Sequence, residues 1–168
     1  KISLNTKNYT ELIMGQSPSG NTYNKEGKGL PFFQGKKDFG LKNPITSIWC
    51  SKPKKIAQAG DILLSVRAPV GSLNIADKKC AIGRGLAIIK CKNNTIRDYV
   101  YIILKAFELK LESEGLGGGV KAITKPKLES LRFFIPKKEI EIEAINKNFF
   151  EKEEVFFNLE KNVKKINK

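Results

Sequence analysis

An apolar stripe at heptad spacing ends the sequence and constrains its architecture more than any other feature. Eight positions step by three and four, and all but one are apolar: Ile142, Ile145, Phe149, Lys152, Phe156, Leu159, Val163 and Ile166. A helix with this pattern is ~40 Å long at 1.5 Å per residue, which exceeds a small β-rich core. Each apolar side chain left in water would forfeit roughly 1.5–3 kcal/mol of burial. The pattern therefore predicts a long C-terminal coiled-coil helix whose seven apolar positions pair with another helix, with packing on its own domain as the alternative.

The first 95 residues predict a different kind of structure, in which short strands are separated by Gly, Pro and Asn turns. The predicted strands are Leu30–Phe33, Ile45–Trp49, Ile62–Val66, Ser72–Ile75 and Leu86–Cys91. This segment is expected to form a β-rich core with long loops.

Helical spacing returns after this core. Apolar residues recur every three or four positions over Arg97–Ser113, after a capping box predicted at Thr95 and Asp98. A helical turn containing a proline then leads to a strand predicted at Leu131–Ile135. The expected fold class is α+β, with a β-rich domain and one packed helix over residues 1–138 and a long helix over residues 139–168.

Positive charge is concentrated in the predicted β-rich domain. The chain holds 31 Lys and Arg against 17 Asp and Glu, and residues 1–138 alone carry an excess of 15 positive charges. A domain with this charge favours a polyanionic partner over a small substrate. A lysine-rich surface that only maintains solubility is the alternative.

The composition also excludes several classes of chemistry. The chain has no histidine, and its three cysteines, Cys50, Cys80 and Cys91, form no C-x-x-C pair. These facts exclude histidine-dependent catalysis and a structural zinc site, and they favour a reducing cytoplasm. No stretch approaches the ~20 apolar residues of a membrane span, and no secretory signal opens the chain. The sequence begins with Lys1, as expected of a trimmed chain or a piece of a longer one.

Three motifs imitate catalytic or nucleotide-binding sites. Gly15–Thr22 matches the glycines and threonine of a phosphate-binding P-loop but lacks its lysine. Asn43–Ile45 resembles the clamp of adenine methyltransferases without the second proline and the aromatic residue. A nuclease-like set lies on the predicted helix instead of a strand edge: Asp98, Glu108 and Lys110. The sequence therefore predicts no enzymatic activity, with a small nuclease as the alternative from the enzyme class.

The candidate recognition residues are polar or basic and lie in loops between the predicted strands. Glycines beside an arginine let the backbone and the guanidinium approach a nucleic acid closely, and arginine pairs bidentately with guanine. Loop hydroxyls can face phosphates. The candidate DNA-contacting residues are Ser17, Ser19, Gln34, Lys36, Lys37, Arg67, Arg84 and Lys121.

Four sequence blocks, in order, resemble the target recognition domains of type I restriction-modification specificity (S) subunits. They are Gly15–Ser19, Leu30–Gly35, Gly60–Gly71 and Ala81–Ala87. The helix, the glycine-rich turn, the strand ending in proline and the long helix that follow also match. Pro136–Glu139 departs from the family pattern, which usually has a Pro-Pro-Leu motif at this point.

The resemblance implies a sequence-specific subunit that binds double-stranded DNA, has no activity of its own and reads one half of a bipartite target. Residues 1–138 would be the target recognition domain, and residues 139–168 the spacer helix for dimerisation or methyltransferase docking. Specificity subunits of this family carry two such units in tandem and position methyltransferase (M) and restriction (R) subunits. S-adenosylmethionine, ATP and magnesium belong to those partners, so the resemblance implies no cofactor on this chain.

The chain has one predicted domain and one spacer helix, so its sequence does not determine how it assembles. The chain is expected to be a natural half-subunit that homodimerises through its helix, or one half of a two-domain subunit. A target recognition domain from a fused restriction-methylation enzyme of type IIG or IIB is the alternative function. An assembly or anti-restriction adaptor that uses the helix without touching DNA is a further one.

Overall fold

Two β-sheets and three α-helices form an α+β fold in a computed structural model of the chain, which describes residues 1–116 and 122–166. The strands are β1 (Thr10–Met14), β2 (Tyr23–Asn24), β3 (Leu30–Phe33), β4 (Trp49–Cys50), β5 (Ile56–Ala57), β6 (Ile62–Ser65), β7 (Leu73–Ile75), β8 (Cys80–Ile82) and β9 (Leu86–Cys91). The helices are α1 (Asn94–Leu116), α2 (Lys125–Ser130) and α3 (Glu139–Ile166).

The two sheets pack on each other through the centre of the domain. One sheet is antiparallel with the order β1-β9-β6-β7, and the other has the order β2-β4-β3-β8-β5, in which β3 and β8 are parallel. Side chains alternate along β6, so Ile62 and Leu64 join the core under the helices while Leu63 joins the core between the sheets. Both faces of β6 are buried, which explains its run of three consecutive apolar residues, Ile62 to Leu64.

Two of the predicted strands match interior strands of the two sheets. The ranges predicted at Leu30–Phe33 and Leu86–Cys91 are those of β3 and β9. The strand predicted at Ile45–Trp49 agrees with the structure only at Trp49, which begins β4. Residues 45–48 lie in a loop, in which the Ile45 N–H donates to the Asp38 carbonyl oxygen at 2.8 Å. β1, β2, β5 and β8 were not predicted.

Two predictions near the helices also need correction. α1 begins at Asn94 because the Asn93 side chain accepts a hydrogen bond from the Ile96 N–H at 2.8 Å. The predicted capping box is wrong, since the Asp98 carboxylate binds the Arg97 guanidinium at 2.7 Å instead. The strand predicted at Leu131–Ile135 is reduced to a single bridge with the N-terminal segment.

The beginning of α3 packs on α1 of the same chain. Ile142 is only 4% exposed and belongs to the core under the helices. The Asn146 Nδ2 donates to the Thr95 carbonyl oxygen at 2.9 Å, and the Phe150 ring stacks on Tyr101 with 6.3 Å between centroids. Ile142 therefore packs within its own domain, which corrects the prediction that it pairs with a helix of another chain or domain.

Ile145 and Phe149 of the predicted seam lie on a neighbouring face of α3. Ile145 is 40% exposed and Phe149 is half-buried, so this face is not covered by the domain as the Ile142 face is. The seam side chains beyond this point lie outside the described residues: Phe156, Leu159, Val163 and Ile166. None of the helices in the described ranges combines the length and apolarity that a bilayer span requires.

Replacing Asn146 with leucine is expected to raise the free energy of unfolding by about 1 kcal/mol. The buried Asn146 Oδ1 has no hydrogen-bond partner within residues 1–116 and 122–166. An unsatisfied buried acceptor costs about 1–3 kcal/mol, whereas the single bond to Thr95 contributes about 1 kcal/mol. Urea denaturation of the full chain measures the change, and Asn148→Leu, at an exposed position of α3, is the matched control. A loss above about 1 kcal/mol would mean that the bond to Thr95 dominates.

Candidate nucleic-acid interface

Three loops meet at one end of the paired sheets. They are residues 15–19 after β1, residues 34–38 after β3 and residues 83–85 between β8 and β9, and we call them the loop cluster. The Gly15 N–H donates to the Leu86 carbonyl oxygen at 2.9 Å, and the Gly83 N–H donates to the Phe33 carbonyl oxygen at 2.8 Å. These backbone bonds tie the loops to the strand ends that carry them.

Three of the predicted DNA-contacting residues come together in this cluster. The Ser17 Oγ accepts a hydrogen bond from the Arg84 backbone N–H at 3.1 Å. A Cβ added at Gly85 would lie 2.0 Å from the Gln34 carbonyl oxygen, so only glycine fits beside Gln34. The packing of these backbones places Ser17, Gln34 and Arg84 side by side.

Arg67 adjoins the cluster through its neighbour in the chain. The Val66 N–H donates to the Gly85 carbonyl oxygen at 2.9 Å, and Arg67 itself forms a backbone bridge with Ala122. The Arg67 and Arg84 side chains are exposed and form no ion pair with any residue that the structure describes. Both guanidiniums are therefore available to an anionic partner.

The other predicted contacts lie around this centre. Lys36 and Lys37 are exposed on a short 3-10 helix that follows Gln34, and Ser19 is exposed at the end of the first loop. Lys121 lies outside the described residues. The sequence analysis assigned all of these residues to DNA, and that assignment stays a prediction.

The acidic residue of the loop cluster is turned toward the backbone. Asp38 Oδ2 accepts the Gln34 N–H at 2.6 Å and the Gly35 N–H at 3.3 Å, and its side chain is 11% exposed. Its charge thus stabilises the loop conformation and is withdrawn from the outer surface. The Lys37 Nζ lies 4.0 Å from Asp38 Oδ1, and this ion pair is weak because the lysine is exposed to solvent.

A basic loop that the sequence analysis missed lies against the cluster. Lys52, Lys54 and Lys55 fall between β4 and β5, and the Lys55 carbonyl oxygen accepts the Ile82 N–H at 2.9 Å. The Ile82 carbonyl oxygen in turn accepts the Gln16 N–H at 3.1 Å. Three lysines within four residues were the available signal, and they extend the positive surface beside the loop cluster.

Several side chains that could support catalysis are either ion-paired or protonated near neutral pH. Burial raises the pKa of the Cys80 thiol to about 12 and that of Cys91 to about 12, so both stay protonated near neutral pH. On α1, Asp98 pairs with Arg97, and the Glu108 carboxylate pairs with Lys105 at 2.9 Å. Within the described ranges, no three acidic or cysteine side chains are grouped as a metal site would require.

Comparison with known sequences assigns the fold to a family. A sequence model of the type I restriction modification DNA specificity domain matches residues 8–167. The chain belongs to this type I specificity family. The resemblance inferred from the four sequence blocks is thus confirmed.

Individual members of the type I specificity family cover most of the chain. The MjaX type I restriction enzyme specificity subunit of Methanocaldococcus jannaschii is 45% identical over 139 residues, which are 82% of this chain and 33% of that protein. The chain therefore spans about a third of this relative's length.

Solved structures agree with that assignment. A chain from a structure of the assembly and conformational transition of a type I restriction-modification system is 41% identical, with a TM-score of 0.84 over 94% of this chain and 39% of its own length. The HsdS subunit of Thermoanaerobacter tengcongensis is 41% identical, with a TM-score of 0.76 over 90% of this chain and 37% of its own length. The S subunit of M. genitalium, at 20% identity and a TM-score of 0.65, shares the fold over 90% of this chain and 38% of its own length.

Proposed function

We propose that this chain is a sequence-specific subunit, or part of one, that binds double-stranded DNA through the loop cluster and reads one half of a bipartite target. The observation that carries the proposal is the convergence of Ser17, Gln34 and Arg84 beside Arg67, with both guanidiniums exposed and without an acidic partner in the described residues. An excess of 15 positive charges in residues 1–138 supports a polyanionic ligand.

The chain contributes recognition and leaves the chemistry to other subunits. Cys80 and Cys91 stay protonated near neutral pH, and the carboxylates Asp98 and Glu108 are ion-paired, as described above. Methyltransferase and restriction subunits, carrying S-adenosylmethionine and ATP with magnesium, would act on the DNA that this chain selects. α3 gives those subunits or a second recognition unit a fixed position relative to the loop cluster, because its first turns pack on α1.

A second spacer helix covers the seam of α3. The exposed Ile145 and the half-buried Phe149 support this part of the proposal, because they lie beside the face that packs on α1. The occupant is the helix of a second copy or of a second recognition unit. Sedimentation of the full chain at micromolar concentration is expected to give twice its mass, and a monomer would contradict homodimerisation.

Salt dependence tests DNA binding. Each phosphate contact releases condensed counterions, so an interface with about four or five contacts would lose about a hundredfold to a thousandfold in affinity between 50 and 200 mM salt. Fluorescence anisotropy with a labelled duplex measures this slope. Binding that is undetectable at 50 mM salt, or that does not change with salt, would contradict the proposed function.

A further inference from the structure

Gln34 has a fixed stem and an amide without a partner. Its backbone N–H is bound to Asp38 at 2.6 Å, and its carbonyl oxygen lies against Gly85. Its Cγ lies 3.2 Å from the position that a Cβ on Gly83 would occupy. The half-buried side chain has few conformations open to it, yet its amide forms no hydrogen bond with any described residue.

Arg84 lies in the neighbouring loop, between Gly83 and Gly85, the two glycines that lie against Gln34. Its backbone is held by the Ser17 hydroxyl, and the glycines on both sides of it are buried. Its guanidinium is exposed and has no ion pair among the described residues. Because Arg84 follows Gly83 directly, its stem begins within about 3.8 Å of the glycine that contacts the Gln34 stem.

The lysines near Gln34 and Arg84 have exposed, flexible side chains. The Lys37 side chain is 69% exposed, and Lys54 is exposed in the loop before β5. A lysine is a compact charge on a flexible stem, suited to a phosphate, whereas a planar amide or guanidinium can bind two base atoms at once. Planar groups on anchored backbones at the centre, with flexible charges around them, are the arrangement expected of base contacts flanked by phosphate contacts.

We infer that Gln34 and Arg84 are the base-reading pair of the loop cluster, Gln34 contacting an adenine and Arg84 a guanine of a neighbouring base pair in the major groove. The inference rests on the proposed DNA-binding function and adds to it which residues determine specificity and which bases they select. Glutamine pairs bidentately with adenine N6 and N7, and arginine with guanine O6 and N7. The closeness of the two stems places the adenine and the guanine one step apart, at ~3.4 Å along the strand.

Selection from a randomised duplex pool by the full chain tests this assignment. The wild type is expected to enrich a site with adenine and guanine at neighbouring base pairs. Gln34→Glu is expected to replace adenine by cytosine at one position, because a carboxylate accepts a hydrogen bond from cytosine N4. Arg84→Lys keeps the charge but loses the bidentate fork, so its preference for guanine falls by about 5- to 150-fold.

Matched lysine variants separate base reading from general attraction. Lys37→Ala and Lys54→Ala are expected to weaken binding to all sequences alike and to leave the ranking of bases unchanged. Circular dichroism melts of each variant confirm that the fold is retained. Since bases are ranked within each variant's own selected pool, a uniform loss of affinity does not affect the comparison.

Two negative results have different meanings. If the wild type enriches a sequence but Gln34→Glu and Arg84→Lys keep the same base at every position, the assignment of this pair is wrong and the proposed function stands. If the wild type enriches no sequence, the proposed function fails, and the inference fails with it.

Discussion

Replacing Gly15 with alanine is expected to lower the free energy of unfolding by about 3 kcal/mol, through overpacking of the loop cluster and loss of its hydrogen bonds. An added Cβ would lie 2.2 Å from the Gly83 carbonyl oxygen and 2.6 Å from the Leu86 carbonyl oxygen. Both obstacles are backbone atoms that flank Arg84, so they cannot move aside without displacing the turn. Weaker DNA binding should accompany the loss of stability.

Gly20→Ala is the matched control for this substitution. Gly20 lies in the same segment, and an added Cβ there would meet nothing within 4 Å. We expect the free energy of unfolding to change by no more than about 0.5 kcal/mol, because alanine can replace a glycine in a compatible conformation with a small gain in stability. Chemical denaturation of the full chain measures both variants. Equal denaturation midpoints for Gly15→Ala and the wild type would contradict the packing described for the loop cluster.

Reversing the charge of both arginines is expected to reduce DNA affinity by about a hundredfold or more without unfolding the domain. Each reversal removes a contact of about 1–3 kcal/mol and adds repulsion from the phosphates. The exposed side chains of Arg67 and Arg84 pack against no acidic partner in the described ranges, so stability should change little. Anisotropy titration of Arg67→Glu/Arg84→Glu at 100 mM salt measures the loss.

A second pair of lysines supplies the control of equal charge. Lys7 and Lys92 are exposed beside the start of β1 and the end of β9, at the opposite end of these strands from the loop cluster. Lys7→Glu/Lys92→Glu changes the net charge equally, but β9 separates it from the cluster by more than a Debye length of ~8–10 Å. We expect less than about a tenfold loss. Equal losses in the two double variants would mean that only the total charge attracts DNA.

Sequence reasoning succeeded where local pattern determines structure. β3 and the first four residues of β9 are apolar runs that follow a glycine, so these strands are recognisable from residues close in the chain. β1 was missed because it depends on pairing with a distant strand, as in the opposition of Glu11 and Lys90 across the sheet. The two-residue strands β2, β4 and β5 exist only through such pairing.

The candidate site followed the same division. Arginines beside glycines marked the individual loops, but their convergence depends on the parallel pairing of β3 with β8, which joins Phe32 to Ala81. For α3, the sequence predicted the helix but not its packing on α1. The heptad spacing of apolar residues indicated the helix. The face that packs on α1 contains the polar Asn146 between Ile142 and Phe150, so its sequence does not form an uninterrupted apolar stripe.

A crystal structure of the full chain with the duplex that it selects tests the central claim most directly. The account predicts that the loop cluster enters the major groove, with the Gln34 amide on an adenine, the Arg84 guanidinium on the adjacent guanine, and Lys37 and Lys54 at phosphates. A duplex bound on another surface, with the loop cluster facing solvent, would contradict it.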